Sequence, residues 1–116
     1  MEIKTALDRL GALAQETRLA LFRRLVERGP EGLAAGALAG SLGVPAATLS
    51  FHVAQLERAG LVEGRREGRS IVYAARFSAM QELLAYLFEN CCQGAGCAPT
   101  SPMRAPTKRR ATKGKP

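Results

Sequence analysis

A chain of 116 residues, 47% hydrophobic and carrying a net charge of +7, can build one small core but hardly two. No apolar run approaches the roughly 20 residues that span a bilayer, and MEIKTALDRLGALA lacks a charged stretch leading into an apolar one, so the expectation is no secretory leader, no membrane and a cytoplasmic location. Six of the 17 basic residues and none of the 10 acidic ones fall in 98–116, which leaves residues 1–97 nearly neutral; any attraction to an acidic partner there must come from local placement of charge.

In chain order, Ile3, Ala6, Leu7, Leu10 and Leu13 recur at three- and four-residue spacing, the period of one helix face. After Gln15–Glu16, the residues Leu19, Phe22, Leu25 and Val26 predict a second helix with that face inward, ended by Gly29–Pro30. A short third helix is expected over Ala34–Leu42, closed by Gly43. A fourth starts at Pro45 or just after, since proline suits a first turn, and runs to Ala59 before Gly60. Leu49, Val53 and Leu56 line its inner face. The period then changes: LVEGRRE and RSIVYAA flank Glu67–Gly68 as a hairpin. A last helix begins at Ser78, whose spacing to Gln81 suits a capping box. It carries Met80, Leu83, Leu84, Leu87 and Phe88 and stops near Gly94. Residues 98–116, rich in Pro, Thr, Lys and Arg, hold too little apolar surface to offset their ordering entropy and read as a disordered basic tail, with non-specific attraction to phosphates as its one sharper role. The expected division is therefore 1–97 and 98–116.

Two short helices with a glycine turn, followed by a hairpin bearing arginines, have the order of a helix-turn-helix with a wing. Hiding Leu49, Val53 and Leu56 leaves Ala47, Thr48, Ser50, Phe51 and Gln55 outward, where small hydroxyls can approach base edges and phosphates and Phe51 can touch a thymine methyl. Arg65, Arg66 and Arg69 lie near the hairpin tip, placed for phosphate or minor-groove contact. His52, between Leu49 and Leu56, reads as a partly buried side chain that bonds locally. The two apolar faces, Ile3–Leu13 and Met80–Phe88, exceed the needs of one small core and predict a homodimer through Ile3, Leu7, Leu10, Met80, Leu84, Leu87 and Phe88.

The stretch from Gly36 to Ala75, with Leu38–Ala39, Leu42–Gly43, Thr48–Leu49–Ser50, His52, Leu56, Ala59–Gly60–Leu61–Val62, Arg66–Glu67–Gly68–Arg69 and Tyr73, resembles the winged-helix core of the ArsR/SmtB family of metal-responsive repressors. Thr17–Arg18–Leu19 is similar to a signature of that family's second helix. The resemblance covers roughly residues 5 to 90. It implies a mainly α (α+β) winged helix-turn-helix in the order α-α-α-α-β-β-α. It also implies a homodimer on double-stranded operator DNA with two-fold symmetry, released by an ion. Pro45 departs from the serine or aspartate cap common in the family.

All three cysteines lie in ENCCQGAGC: Cys91, Cys92 and Cys97. A reducing compartment favours metal binding or redox chemistry over a structural bridge. The resemblance narrows the choice. The family's Cys-x-Cys arsenic site on the first reading-motif helix is absent, since AAGALAGSL has no cysteine. Its zinc site between last helices is absent too, since Glu82 and Glu89 stand there without histidine. What remains is similar to the arsenite-responsive subgroup with a cysteine pair and a third cysteine at the end of the last helix. As(III) and Sb(III) are soft and take three thiolates. Cys91 and Cys92 point about 100° apart on a regular helix, so the last turn must loosen for both to bind one ion. The alternatives are Zn, Cd or Pb with a fourth ligand, or a thiol-redox response, which the lack of Lys or Arg between Phe77 and Cys97 disfavours. No organic cofactor is expected. With one histidine, no phosphate loop and no paired carboxylates, the chain is expected not to be an enzyme.

Overall fold

The computed structural model describes residues 1–94. These form α1 (Ile3–Leu13), α2 (Glu16–Arg28), β1 (Leu33–Ala34), α3 (Ala35–Leu42), α4 (Ala46–Arg58), β2 (Val62–Glu67), β3 (Ser70–Ala75) and α5 (Phe77–Leu87), then a 3₁₀ turn at Cys91–Gly94. The chain divides into two compact units, Met1–Met80 and a second that begins at Gln81. Cys97 and the tail 98–116 lie outside the described residues, as does the expected boundary at 97.

In the first unit, Leu21, Leu25, Leu38, Leu49, Val53, Leu56 and Leu61 are almost completely removed from water. Each such side chain is worth roughly 1.5–3 kcal/mol of transfer free energy, which is what fixes α2, α3 and α4 around one centre. α2 turns inward through Leu21, Phe22 and Leu25. The expectation of Leu19 and Val26 on that face is overturned: they are 45% and 43% exposed. Three- and four-residue spacing fixes a face but not which of two overlapping faces turns inward, and here Leu21 takes the place expected of Leu19. α1 is inverted relative to an ordinary surface helix. Its buried residues are Ala6 and Ala12, while Ile3, Leu7 and Leu10 face solvent.

The turn between α3 and α4 depends on Gly43, which closes α3 in the left-handed region at φ 68° with its N–H donating to α3 carbonyls. The two helices meet at 106°, within the range of helix-turn-helix motifs. Pro45 is the N-cap of α4 and supplies no side-chain acceptor.

The sheet is antiparallel in the order β1-β3-β2. β2 and β3 pair from Val62↔Ala75 to Glu67↔Ser70, leaving Gly68 and Arg69 as the turn. β1, which sequence periodicity does not reveal, pairs Leu33 with Tyr73 and Ala34 with Val72. Gly32 makes this pairing possible: at φ 75° it lies so close to β3 that a Cβ would collide with the Tyr73 carbonyl. α5 begins at Phe77, one residue before the expected start, because Arg76 O accepts from Ala79 N. Ser78 is therefore inside the first turn and forms no capping box. Ala79 and Leu83 are buried, whereas Leu87 and Phe88 are 52% and 43% exposed. The helix ends at Leu87, not near Gly94.

Candidate nucleic-acid interface and thiol cluster

α4 is held from its inner side by Leu49, Val53 and Leu56, so its outer side projects from a fixed base. Ala47, Thr48, Ser50 and Phe51 are exposed there, and Phe51 is 57% exposed. Gln55 is half-buried, and its Oε1 accepts from Arg58 Nη1 at 3.0 Å.

A second set of contacts locks α4 from the side. Arg18 Nε donates to the Ala12 carbonyl at 2.6 Å, near the C-terminus of α1, where a cation is favoured. Its Nη1 stands 3.3 Å from His52 Nδ1. A guanidinium can only donate, so Nδ1 accepts and the ring proton sits on Nε2, a tautomer assigned from the contact. Burial, and then the Arg18 charge, lower the His52 pKa below its usual value. His52 is thus a neutral brace, in keeping with the local role expected for it. Across the far end of α4, Arg9 Nε donates to the Ala59 carbonyl at 3.3 Å and Arg9 Nη1 to the Ala79 carbonyl at 2.8 Å.

The wing arginines divide into two kinds. Arg65 Nε lies 2.6 Å from Glu67 Oε2, and Arg65 Nη2 donates to the Glu31 carbonyl at 2.7 Å. Its guanidinium thereby ties β2 to the loop after α2. Arg66 and Arg69 make no hydrogen bond or ion pair among the described residues and remain open to a phosphate.

In the second unit, the chain leaves α5 through Asn90, Cys92 and Gln93, all at positive φ (58°, 53° and 56°). For residues with a Cβ this conformation costs about 1–2 kcal/mol each. It turns two neighbouring side chains together: Cys91 Sγ and Cys92 Sγ are 3.6 Å apart. Two thiolates on a tetrahedral ion with bonds of about 2.3 Å stand about 3.8 Å apart, so the pair is spaced for one soft ion. Cys92 carries a disulfide, so its sulfur can serve an ion as a thiolate only once it is reduced. Among the described residues no group of three metal-ligating side chains is gathered.

The profile of a helix-turn-helix domain family matches residues 13–65. The nodulation protein NolR of Rhizobium meliloti is 35% identical over 78 residues, 67% of this chain but 62% of NolR, so the match spans about three-fifths of that relative. The transcriptional activator HlyU of Vibrio cholerae is 31% identical over 84 residues, covering 72% of this chain and 75% of HlyU. The solved HlyU structure superposes with a TM-score of 0.60 at 34% identity over 76% of this chain and 98% of that one. An ArsR-like transcriptional regulator from Rhodococcus sp. RHA1 superposes with a TM-score of 0.67 at 27% identity, over 78% and 82% of the two chains. The chain belongs to the ArsR family of winged-helix transcriptional regulators. The homodimeric winged helix-turn-helix DNA-binding domain of Mb0332 from Mycobacterium bovis superposes with a TM-score of 0.59 at 28% identity over 74% and 84% of the two chains.

HlyU and the Rhodococcus protein are, by their names, a transcriptional activator and a transcriptional regulator. On this ArsR-family scaffold, Ala47, Thr48, Ser50, Phe51 and Gln55 fall together along the reading helix. Arg66 and Arg69 fall on the wing. Sequence reasoning missed Arg9, Arg18 and the bracing contacts of Arg65. Each finds backbone carbonyls or a ring nitrogen whose position only the fold supplies, so no local pattern marks them. No single helix among the described residues is long and apolar enough to cross a membrane.

Proposed function

We propose that the chain is a homodimeric repressor of the arsenic-responsive kind. In this reading α4, Arg66 and Arg69 hold double-stranded operator DNA, and the complex is released when As(III) or Sb(III) binds Cys91, Cys92 and Cys97. The observation that carries the ion-binding arm is the 3.6 Å approach of Cys91 and Cys92 on a backbone already departed from helical geometry. That is the loosening a shared ion requires. Three thiols suit a soft trivalent metalloid: arsenous acid loses its three hydroxyls as water, each taking a proton from one thiol as an As–S bond forms. Arg65 acts here as a wing brace rather than a phosphate contact.

Dimerisation is supported by the outward Ile3, Leu7 and Leu10 of α1, and separately by the exposed Leu87 and Phe88, with Met80 and Leu84 half-buried on α5. A dimer places two reading helices in successive major grooves, about 34–36 Å apart. Coupling of about 1–3 kcal/mol between ion and DNA is enough to change affinity roughly 5–150-fold.

Mass spectrometry of the reduced chain titrated with arsenite tests the ion arm. One arsenic per chain, with three protons displaced, is expected; no adduct, or loss of the adduct only when Glu82 or Glu89 is replaced, would overturn it. A reporter under the cognate promoter fixes the sign of regulation, because HlyU is a named activator. A thiol-redox response is the second reading, favoured by the disulfide at Cys92. It requires release by oxidation in the absence of any metalloid.

A further inference from the structure

Phe51 is the one large hydrophobic side chain exposed on the reading helix, at 57%, and exposing an aromatic ring forfeits the gain of burying it. The ring is nevertheless positioned. His52 meets it edge-on, with centroids 5.3 Å apart and planes at 70°. His52 is in turn held by Arg18, and Arg18 by the Ala12 carbonyl. One side of the ring is thus supported while the ring itself stays accessible to a partner. Ala47 lies one turn earlier on the same side of α4, and the exposed Thr48 flanks it.

The neighbouring residues restrict what this surface can read. Guanine is recognised in the major groove by Arg or Lys, adenine by Asn or Gln, and cytosine by Asp or Glu. The stretch AATLSFHVA, Ala46 to Ala54, contains none of these. The first amide is Gln55, and its oxygen is taken by Arg58. Thr48 and Ser50 hydroxyls accept or donate to several bases. The one major-groove feature that an apolar side chain distinguishes is the 5-methyl group of thymine.

We infer that Phe51 is a specificity-determining residue that packs on thymine 5-methyl groups, with Ala47 and the Thr48 methyl beside it, and that the half-site under the N-terminal part of α4 is thymine-rich. This deepens the DNA-binding reading and rests on it. Recognition here is by apolar contact and shape, not by bidentate hydrogen bonds.

The experiment uses the full chain and a duplex selected from a random-sequence pool. That duplex is then synthesised with deoxyuridine in place of thymidine, which deletes each methyl and keeps base pairing. The wild-type protein is expected to bind the uridine duplex about fourfold more weakly for each contacted methyl. Phe51→Ala, at an exposed position, should keep the fold and the dimer, bind the thymidine duplex more weakly, and lose the thymidine–uridine difference. Phe51→Leu should retain part of it. Equal wild-type affinity for the two duplexes, or the same ratio in Phe51→Ala, would overturn the inference while leaving DNA binding intact. Failure to select any duplex would instead overturn the regulator reading on which it rests.

Discussion

The reading helix and the thiol segment are built on opposite principles. α4 is set by burial, through Leu49, Val53 and Leu56 beneath it and by Arg18–His52 at its flank. The segment after α5 has exposed or half-buried residues from Phe88 to Gln93, and its shape comes from three non-glycine residues at positive φ. A surface that must match a fixed groove gains from over-determined packing. A segment that must gather thiols around an ion gains from a backbone that packing does not dictate, because binding can then alter it at low cost.

The largest effect that tests this contrast is on stability. Leu56→Ala removes a fully buried side chain and is expected to cost about 2–5 kcal/mol, lowering the unfolding midpoint in urea and with it DNA binding. In reducing buffer, the double substitution of Cys91 and Cys92 by serine, at an intermediate and an exposed position, should move that midpoint hardly at all. A comparable loss in both would mean that the thiol segment is part of the packed core.

The wing sharpens the contrast on a smaller scale. Arg69→Ala should weaken duplex binding and lower the salt-dependence slope by roughly one unit, as removal of one phosphate contact does. Arg65→Ala should leave the slope unchanged. It should instead speed amide hydrogen exchange in β2, because the tie from Arg65 to the Glu31 carbonyl is gone. Two equal slope changes would return Arg65 to the DNA.

The smallest expected effect concerns pH. The folded state holds His52 neutral, with its pKa lowered by burial and by Arg18. The unfolded chain therefore takes up its proton first as pH falls. The stabilising contribution of His52 is complete above about pH 6.5 and declines below it, toward the lowered folded value. His52→Gln should flatten that decline in thermal melts; an unchanged profile would place the titration elsewhere.

Much of the architecture is legible in the sequence because its punctuation is strong. Gly29–Pro30, Gly43 and Gly60 end helices where they stand, and Leu49, Val53 and Leu56 are buried as their spacing demands. β1 is not legible: two residues cannot display a period of two, and Leu33–Ala34 pairs only because Gly32 lets the chain close on β3. Leu19 and Val26 mislead because spacing identifies a face without saying what covers it. The tie made by Arg65 is not legible either, because its partner, the Glu31 carbonyl, is 34 residues away. The thiol cluster is legible as composition and its loosened backbone as a requirement of geometry, while Cys97 lies outside the described residues.

The central claim is that a metalloid held by all three cysteines releases the DNA. Fluorescence anisotropy of a labelled, selected duplex bound to the reduced protein tests it directly. Arsenite should release the wild-type chain and fail to release Cys97→Ser, whereas a monosubstituted arsenical, with two exchangeable positions, should still release Cys97→Ser through Cys91 and Cys92. Cys91→Ser and Cys92→Ser should resist both compounds. Release of all three serine variants at the wild-type arsenite concentration would contradict the account.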